Sequence, residues 1–302
     1  MNWSLRRPAG LVLASGGALG SWQSGFLTAF VAGHGRVFDR VLGVSTGALT
    51  TAAYVLDHMD VLKQAWRDIS KQRVLRWKPR LDPPTMFGNE SLYEALAHAG
   101  DDEQAKAKTK VPFGIFVTEK ATGRRRLARF SPGGTDGWDG PLTSHMVASC
   151  SIPDVFPPVP LSVGGKTTLH VDGARRGDPP DFTYLAGMKD VLVVEMIRPG
   201  EPGLWPGFNP VRWRERRVRR GQRTFVDRGV ESLAALADAP RVFRAQPSEV
   251  LDFSLIAFRT GVCRRAFELG ERDAAVFSAN PLQAHKPGPL PDVDPEMLLS
   301  TP

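Results

Sequence analysis

Gly43, Ser45 and Gly47 stand in the pentapeptide GVSTG, a G-x-S-x-G pattern. A serine hydroxyl is a weak nucleophile. A sharp strand-to-helix turn can lift it clear of a sheet, and flanking glycines permit the strained backbone and close approach that such a turn needs. A helix beginning at the serine also aims free N–H groups and its positive dipole end at charge forming nearby, as acyl transfer requires. The same five residues also suit a small-residue helix start made for close packing. A second loop, Ser15 to Gly20 (SGGALG), follows an apolar run directly. Its backbone N–H groups can converge where no side chain intervenes, on an oxyanion or a phosphate. Dinucleotide binding is disfavoured: the glycine spacing is G-G-x-x-G, and Asp39 precedes the second strand where a ribose-binding acid would end it. No Gly-Lys-Ser/Thr follows, which excludes a P-loop.

A serine nucleophile needs a base. An α/β-hydrolase supplies an acid and then a histidine late in the chain and places its serine after several strands, whereas one strand precedes Ser45 here. The histidines are His34, His58, His98, His145, His170 and His285, the last in a Pro-rich tail. An acid is therefore the expected base. Asp172 ends the strand-like TTLHVD just before Gly173; the alternative is a turn aspartate. A free aspartate, with a pKa of ~3.9, is a feeble base, so burial is expected to raise its proton affinity. His170 shares a strand face with Asp172 and either lines the cleft or serves structure, since a metal pair would lack a third ligand. Cys150, in ASCSIP, is expected to be a buried packing residue more than a nucleophile or redox switch.

These residues must be held by elements. Leu11 to Leu13 read as a short buried strand, and Trp22, Phe26 and Phe30 mark the helix after it, stopped by Gly33 and Gly35. Val41, Leu42 and Val44 form a second strand, followed by the small-residue helix ALTTAAYVL. Two strand–loop–helix units predict a parallel sheet with helices on its faces. Leu62, Ala65, Trp66 and Ile69 predict another helix, and residues 76–90 read as a Pro-rich surface loop. Residues 111–131 predict a hairpin with Arg124, Arg125 and Arg126 on its return strand. SHMVASCSI reads as a helix, VFPPVP as extended chain, DVLVVEMI as a strand, and the stretches near 225–238 and 262–277 as helices. The tail 281–302 contains six prolines and is expected to be disordered.

Composition narrows the class. The 302 residues are 42% apolar and 24% charged, which excludes fibrous, coiled-coil and disordered chains and suits one large domain or two small ones. Two cysteines cannot build a disulfide framework, so a reducing compartment is the default, with a bridge between Cys150 and Cys263 left open. Arg6 and Arg7 precede an apolar stretch that superficially resembles a secretory signal, but glycines interrupt it, and no run approaches the ~20 apolar residues of a membrane span. The expectation is a cytoplasmic protein whose contact with lipid, if any, is peripheral.

Four segments, LVLASGGALGSWQSGFL, GVSTGAL, ASCSIPDVFPPV and DGA, occur in an order that resembles the patatin-like phospholipases, over roughly residues 11–180. The resemblance implies a three-layer α/β/α sandwich with a mainly parallel central sheet, spanning residues 8–280. It further implies Ser45 as nucleophile in an elbow shaped by Gly43 and Gly47, Asp172 as its dyad partner, and the backbone of Gly16, Gly17 and Ala18 as oxyanion hole. Ester hydrolysis of a lipid or other acyl-ester substrate would proceed through an acyl-enzyme, with no metal or organic cofactor. Leu19 stands where the family often has Arg, which removes one possible contact to a phosphate, and Asp172-Gly173-Ala174 stands in place of a DGG triplet. The alternatives are an α/β-hydrolase-type esterase with a triad histidine and a catalytically silent basic binding module.

The net charge of +7 is concentrated in residues 212–223, which hold seven arginines and one glutamate, flanked by Trp205, Phe208 and Trp213. Cations interleaved with aromatics suit an anionic bilayer, an RNA backbone or an acidic partner, and a solvated helix face is the plain alternative. For a lipid substrate, membrane docking is the favoured expectation and nucleic acid the disfavoured one. The sequence sets no oligomeric state.

Overall fold

A computed structural model describes residues 4–97, 100–201 and 210–281. The strands are β1 (Ala9–Leu13), β2 (Arg40–Gly43), β3 (Trp77–Leu81), β4 (Pro84–Phe87), β5 (Phe113–Glu119), β6 (Arg125–Phe130), β7 (Val159–Val163), β8 (Lys166–Asp172), β9 (Asp190–Val194) and β10 (Arg241–Ala245). The helices are α1 (Gly20–His34), α2 (Thr46–Val55), α3 (Met59–Arg67), α4 (Glu90–Ala95), α5 (Asp102–Lys108), α6 (Leu142–Cys150), α7 (Pro210–Ala234) and α8 (Thr260–Ala279). The main sheet runs β10-β9-β1-β2-β5-β8-β7, with β6 also paired to β5. Its β10-β9-β1-β2-β5 stretch is parallel, and helices flank the sheet in a three-layer α/β/α arrangement. β1 and β9 are buried at every residue, which is why AGLVL and DVLVV show no polar alternation.

One feature of the pairing decides where the loops meet. β6 covers one edge of β5 from Phe113 to Thr118, so β2 and β8 must share the other. β2 lies parallel beside Phe113 to Ile115, while β8 runs antiparallel beside Val117 to Glu119. The two strands therefore approach each other end to end, with Gly43 opposite Ile115 and Asp172 opposite Val117. That is a separation of ~7 Å along β5.

The core beside this edge is packed by helices that meet almost backbone to backbone. On α1, a Cβ at Gly25 would run into the Phe267 carbonyl, and on α8 one at Gly270 would run into that of Trp22. The crossing is locked by Trp22 Nε1 donating to Asp273 Oδ2 at 2.7 Å and by Phe26 and Phe30 packing against Phe277.

Several expectations are corrected. Residues 76–90 are not a loop throughout: β3 and β4 pair as a two-stranded hairpin. Prolines are tolerated there because both strands are edges with N–H positions free of a second partner. The helix expected near 225–238 begins at Pro210 and takes in the Arg-rich segment. That segment is not simply an exposed basic patch. Arg219 is fully buried and ion-paired with Glu201 and Glu215, Arg223 pairs with Glu195 at 3.1 Å, and Arg214 with Asp154 at 2.8 Å. Arg217 and Arg220 are exposed. Trp205, Phe208, the Trp213 side chain and the tail 282–302 lie outside the described residues. Both cysteines are free and buried, so no bridge joins them.

Replacing Gly270 by Leu should lower folding stability by about 3 kcal/mol, because the new side chain meets rigid backbone and the two helices must part. Chemical denaturation reads this, and an unchanged midpoint would contradict the packing described.

Candidate active site

The site is built at the ends of β1, β2 and β8. After β2 the chain turns at Val44 and Ser45 into α2, and Ser45 takes φ 57° and ψ −129°, a left-handed-side conformation that costs a non-glycine residue ~1–3 kcal/mol. Two contacts hold it. Ser45 N–H donates to Ser149 Oγ at 2.8 Å, and the Ser149 hydroxyl donates onward to the Phe116 carbonyl at 2.7 Å. The flanking glycines serve closeness: a Cβ at Gly47 would strike the Leu13 carbonyl at the end of β1, and one at Gly43 would strike Thr51 of α2. Ser45 stands at the N-terminal end of α2, where Gly47 N–H donates to the Val44 carbonyl and Ala48 N–H to that of Ser45, leaving Thr46 N–H without a partner among the described residues.

Asp172 reaches the same place from the opposite direction. The Ser45 side chain lies close enough to favour the ionised form of its carboxylate, and Ala174 N–H donates to Asp172 Oδ1 at 2.8 Å. Burial is the dominant influence and raises the Asp172 pKa to about 6. The Ala174 N–H, the Ser45 hydroxyl and the Arg125 charge oppose that rise without cancelling it. Among the described residues no histidine acts on this carboxylate. Gly173 is required by space, since a Cβ there would meet the Phe116 carbonyl. Arg125, on the return strand of the β5–β6 hairpin, fixes the loop after Asp172. Its guanidinium donates to the Gly173 carbonyl at 2.8 Å and the Arg175 carbonyl at 2.6 Å, and its partial burial lowers its own pKa to about 10.

The glycine loop after β1 supplies the third component, with a correction. Ala18 N–H donates to the Leu255 carbonyl at 2.7 Å, so it is not free to hold an oxyanion. Gly16 and Gly17 N–H have no partner among the described residues. Gly17 has φ +53°, and a Cβ there would collide with the same Leu255 carbonyl. Leu19 is fully buried in the core and does not line the cavity. The loop is braced from α7, where Gln222 Nε2 donates to Ser15 Oγ at 3.0 Å. Arg219 donates to the Leu251 carbonyl at 3.2 Å and the Phe253 carbonyl at 2.6 Å, while Leu255 N–H donates to Glu215 at 3.0 Å. Arg219 and Glu215 of this helix thus clamp the 251–255 strap against the glycine loop.

A cavity of about 530 Å³ opens from Ser45 and Gly17, walled mainly by apolar side chains of α2, α3 and α4, including Leu49, Trp66 and Leu92, with Leu56 just past α2 and Phe156 from the turn after α6. Cys150 lines it too, but burial and the nearby Asp172 raise its thiol pKa well above normal, which leaves it inert. His170 is buried, with Nδ1 3.1 Å from the Thr168 carbonyl, and burial lowers its pKa. Ser149, Arg125, Gln222 and the Leu255 strap were not anticipated. Ser149 lies inside ASCSIP, the one signal that pointed to it; the others come from segments with no local motif.

The patatin-like phospholipase family model matches residues 11–184, more than half of the chain. No curated protein matches. Among solved structures, VipD from Legionella pneumophila is similar with a TM-score of 0.48 and 13% identity, over 91% of this chain and 67% of that one. The type III effector protein ExoU is similar with a TM-score of 0.41 and 13% identity, over 91% of this chain and 53% of that one. This chain belongs to the patatin-like phospholipase family, and lipid acyl hydrolysis is the activity that membership supports.

Proposed function

We propose that this protein cleaves carboxylic esters of phospholipids or related acyl lipids, with Ser45 as nucleophile and Asp172 as its base. The observation that carries the reading is the placement of the Ser45 side chain beside a buried carboxylate, which burial pushes up to a pKa of about 6. An ordinary aspartate would be too acidic to take a serine proton, whereas one near 6 narrows that gap and is still ionised at neutral pH. Asp172 accepts the Ser45 proton as the hydroxyl oxygen attacks the ester carbonyl. The Gly16 and Gly17 N–H groups, together with the start of α2, face the developing oxyanion. Asp172 then returns the proton to the departing alcohol, leaving an acyl-serine. Water then gives a proton to the same carboxylate as its oxygen attacks the acyl carbonyl, the bond to Ser45 Oγ breaks, and Asp172 returns the proton to Oγ as the fatty acid leaves. The apolar cavity suits an acyl chain, since each CH₂ buried there recovers ~0.8 kcal/mol relative to water, which keeps transfer from a bilayer interior near neutral.

Ser45→Ala and Asp172→Asn should each lower hydrolysis of phospholipid vesicles by a factor on the order of 10³ or more while the circular dichroism spectrum is retained. Turnover by Asp172→Asn near the parent rate would discard the dyad.

The stability of the parent protein carries a second signature. The folded-state pKa of Asp172 lies above its unfolded value, so the folded protein binds this proton more tightly. The resulting stabilisation is complete below pH ~4 and is lost as pH rises through about 6. Asp172→Asn removes the cost of burying the charge and should exceed the parent in stability at pH 7, by on the order of 3 kcal/mol. Urea denaturation of both proteins at pH 7 measures this, and a less stable Asn variant would contradict the burial argument.

A further inference from the structure

The described surface carries one concentration of exposed apolar side chains. Seven large apolar residues stand exposed among the described residues, and five of them, Val61, Trp77, Leu81, Met86 and Tyr93, fall between positions 61 and 93. These segments also surround the cavity. Val61 lines it from α3, Ile69, Gln72 and Val74 from the turn before β3, and Leu92 from α4. The β3–β4 hairpin lies in the chain between two of these lining segments, Val74 and Leu92. At its root, Phe87 N–H donates to the Val155 carbonyl at 3.0 Å, and the Phe87 ring packs on Phe156 of the cavity wall. At its far end Leu81 is 96% exposed, and on β3 Trp77 is 68% exposed, so neither side chain is needed to seal the core.

The same stretch is basic. Residues 63–81 hold seven cations and one acid, Asp68, and six of the cations, Arg67, Lys71, Arg73, Arg76, Lys78 and Arg80, are exposed. Arg76 pairs with Glu94 at 3.0 Å and Lys78 with Glu90, but these are half-exposed ion pairs of small worth, which an anionic surface can compete for. The net balance of +6 equals that of residues 212–223, spread over 19 residues instead of 12 and without the internal pairing that buries Arg219 there.

We propose that the β3–β4 hairpin and the basic turn before it are the surface by which this protein docks on an anionic bilayer, with the cavity mouth held against the lipid. This rests on the lipid-hydrolase reading of the site. Trp77 and Leu81 enter the interfacial region, where an aromatic ring and an isolated apolar tip are favoured, and the flanking cations meet anionic headgroups. A lipid acyl chain then passes between the hairpin root and α3 into the cavity without crossing bulk water.

The test separates docking from hydrolysis by using full-length Ser45→Ala protein, which leaves vesicles intact. It should sediment with phosphatidylcholine vesicles containing phosphatidylserine, and less with pure phosphatidylcholine or at high salt. Adding Trp77→Ser and Leu81→Ser should weaken that partition about tenfold. With Ser45 restored, the same hairpin variant should hydrolyse a water-soluble short-chain ester within about twofold of the parent. Brominated lipid should quench part of the tryptophan emission, a part that falls in Trp77→Phe. The proposal is overturned if the protein ignores anionic vesicles, if the hairpin variant sediments like its parent, or if Trp77→Phe leaves quenching unchanged. Loss of binding in Arg217→Gln/Arg220→Gln with the hairpin variant unaffected would place docking on α7 and overturn it equally. Hydrolysis of the soluble ester that fails in every variant and in the parent speaks against the catalytic reading alone.

Discussion

Two strands ending head to head on one edge of β5 create this site. β6 closes the other edge, so the chain has nowhere else to place β8, and the ends of β2 and β8 deliver Ser45 and Asp172 to adjacent ground. The junction interrupts the ladder, which leaves room for a strained turn on one side and a carboxylate on the other. It also excludes water. A carboxylate buried there keeps its proton more strongly, and the placement of the Ser45 side chain beside it puts that proton affinity where acyl transfer would use it.

The surroundings spend hydrogen bonds on backbone more than on side chains that face the cavity. Ser149 ties the Ser45 turn to the Phe116 carbonyl, and the Gly173 loop leans on that same carbonyl and is held by Arg125. On the far side, Arg219 and Glu215 hold the strap whose Leu255 carbonyl takes the Ala18 N–H. That bond spends one donor of the glycine loop but fixes the orientation of the two that precede it. Rigidity is thus obtained from three segments distant in sequence, and the 251–255 strap lies beyond the 11–184 stretch that marks the family.

What could be read from the sequence was what is local. GVSTG and SGGALG stand out because a tight turn and a close backbone approach restrict residue types within a few positions, whereas position alone leaves Asp172 a turn aspartate and only the four segments in family order single it out. The parallel βα units were legible for the same reason. The role of Ala18 was misjudged because its partner, the Leu255 carbonyl, comes from a loop with no distinguishing side chain. Counting charge along 212–223 predicts a basic surface because it does not reveal that Glu201, outside the segment, is buried against Arg219. The β3–β4 hairpin was hidden by its prolines, which exclude a central strand but not a two-stranded edge.

The most direct test of the central claim is the rate of covalent labelling by a fluorophosphonate as a function of pH, with the adduct mapped by peptide mass. A base with pKa about 6 predicts an adduct on Ser45 whose rate climbs through that pH to a plateau, with the step absent in Asp172→Asn. A flat profile, a step governed by another group, or an adduct on a different residue would contradict it.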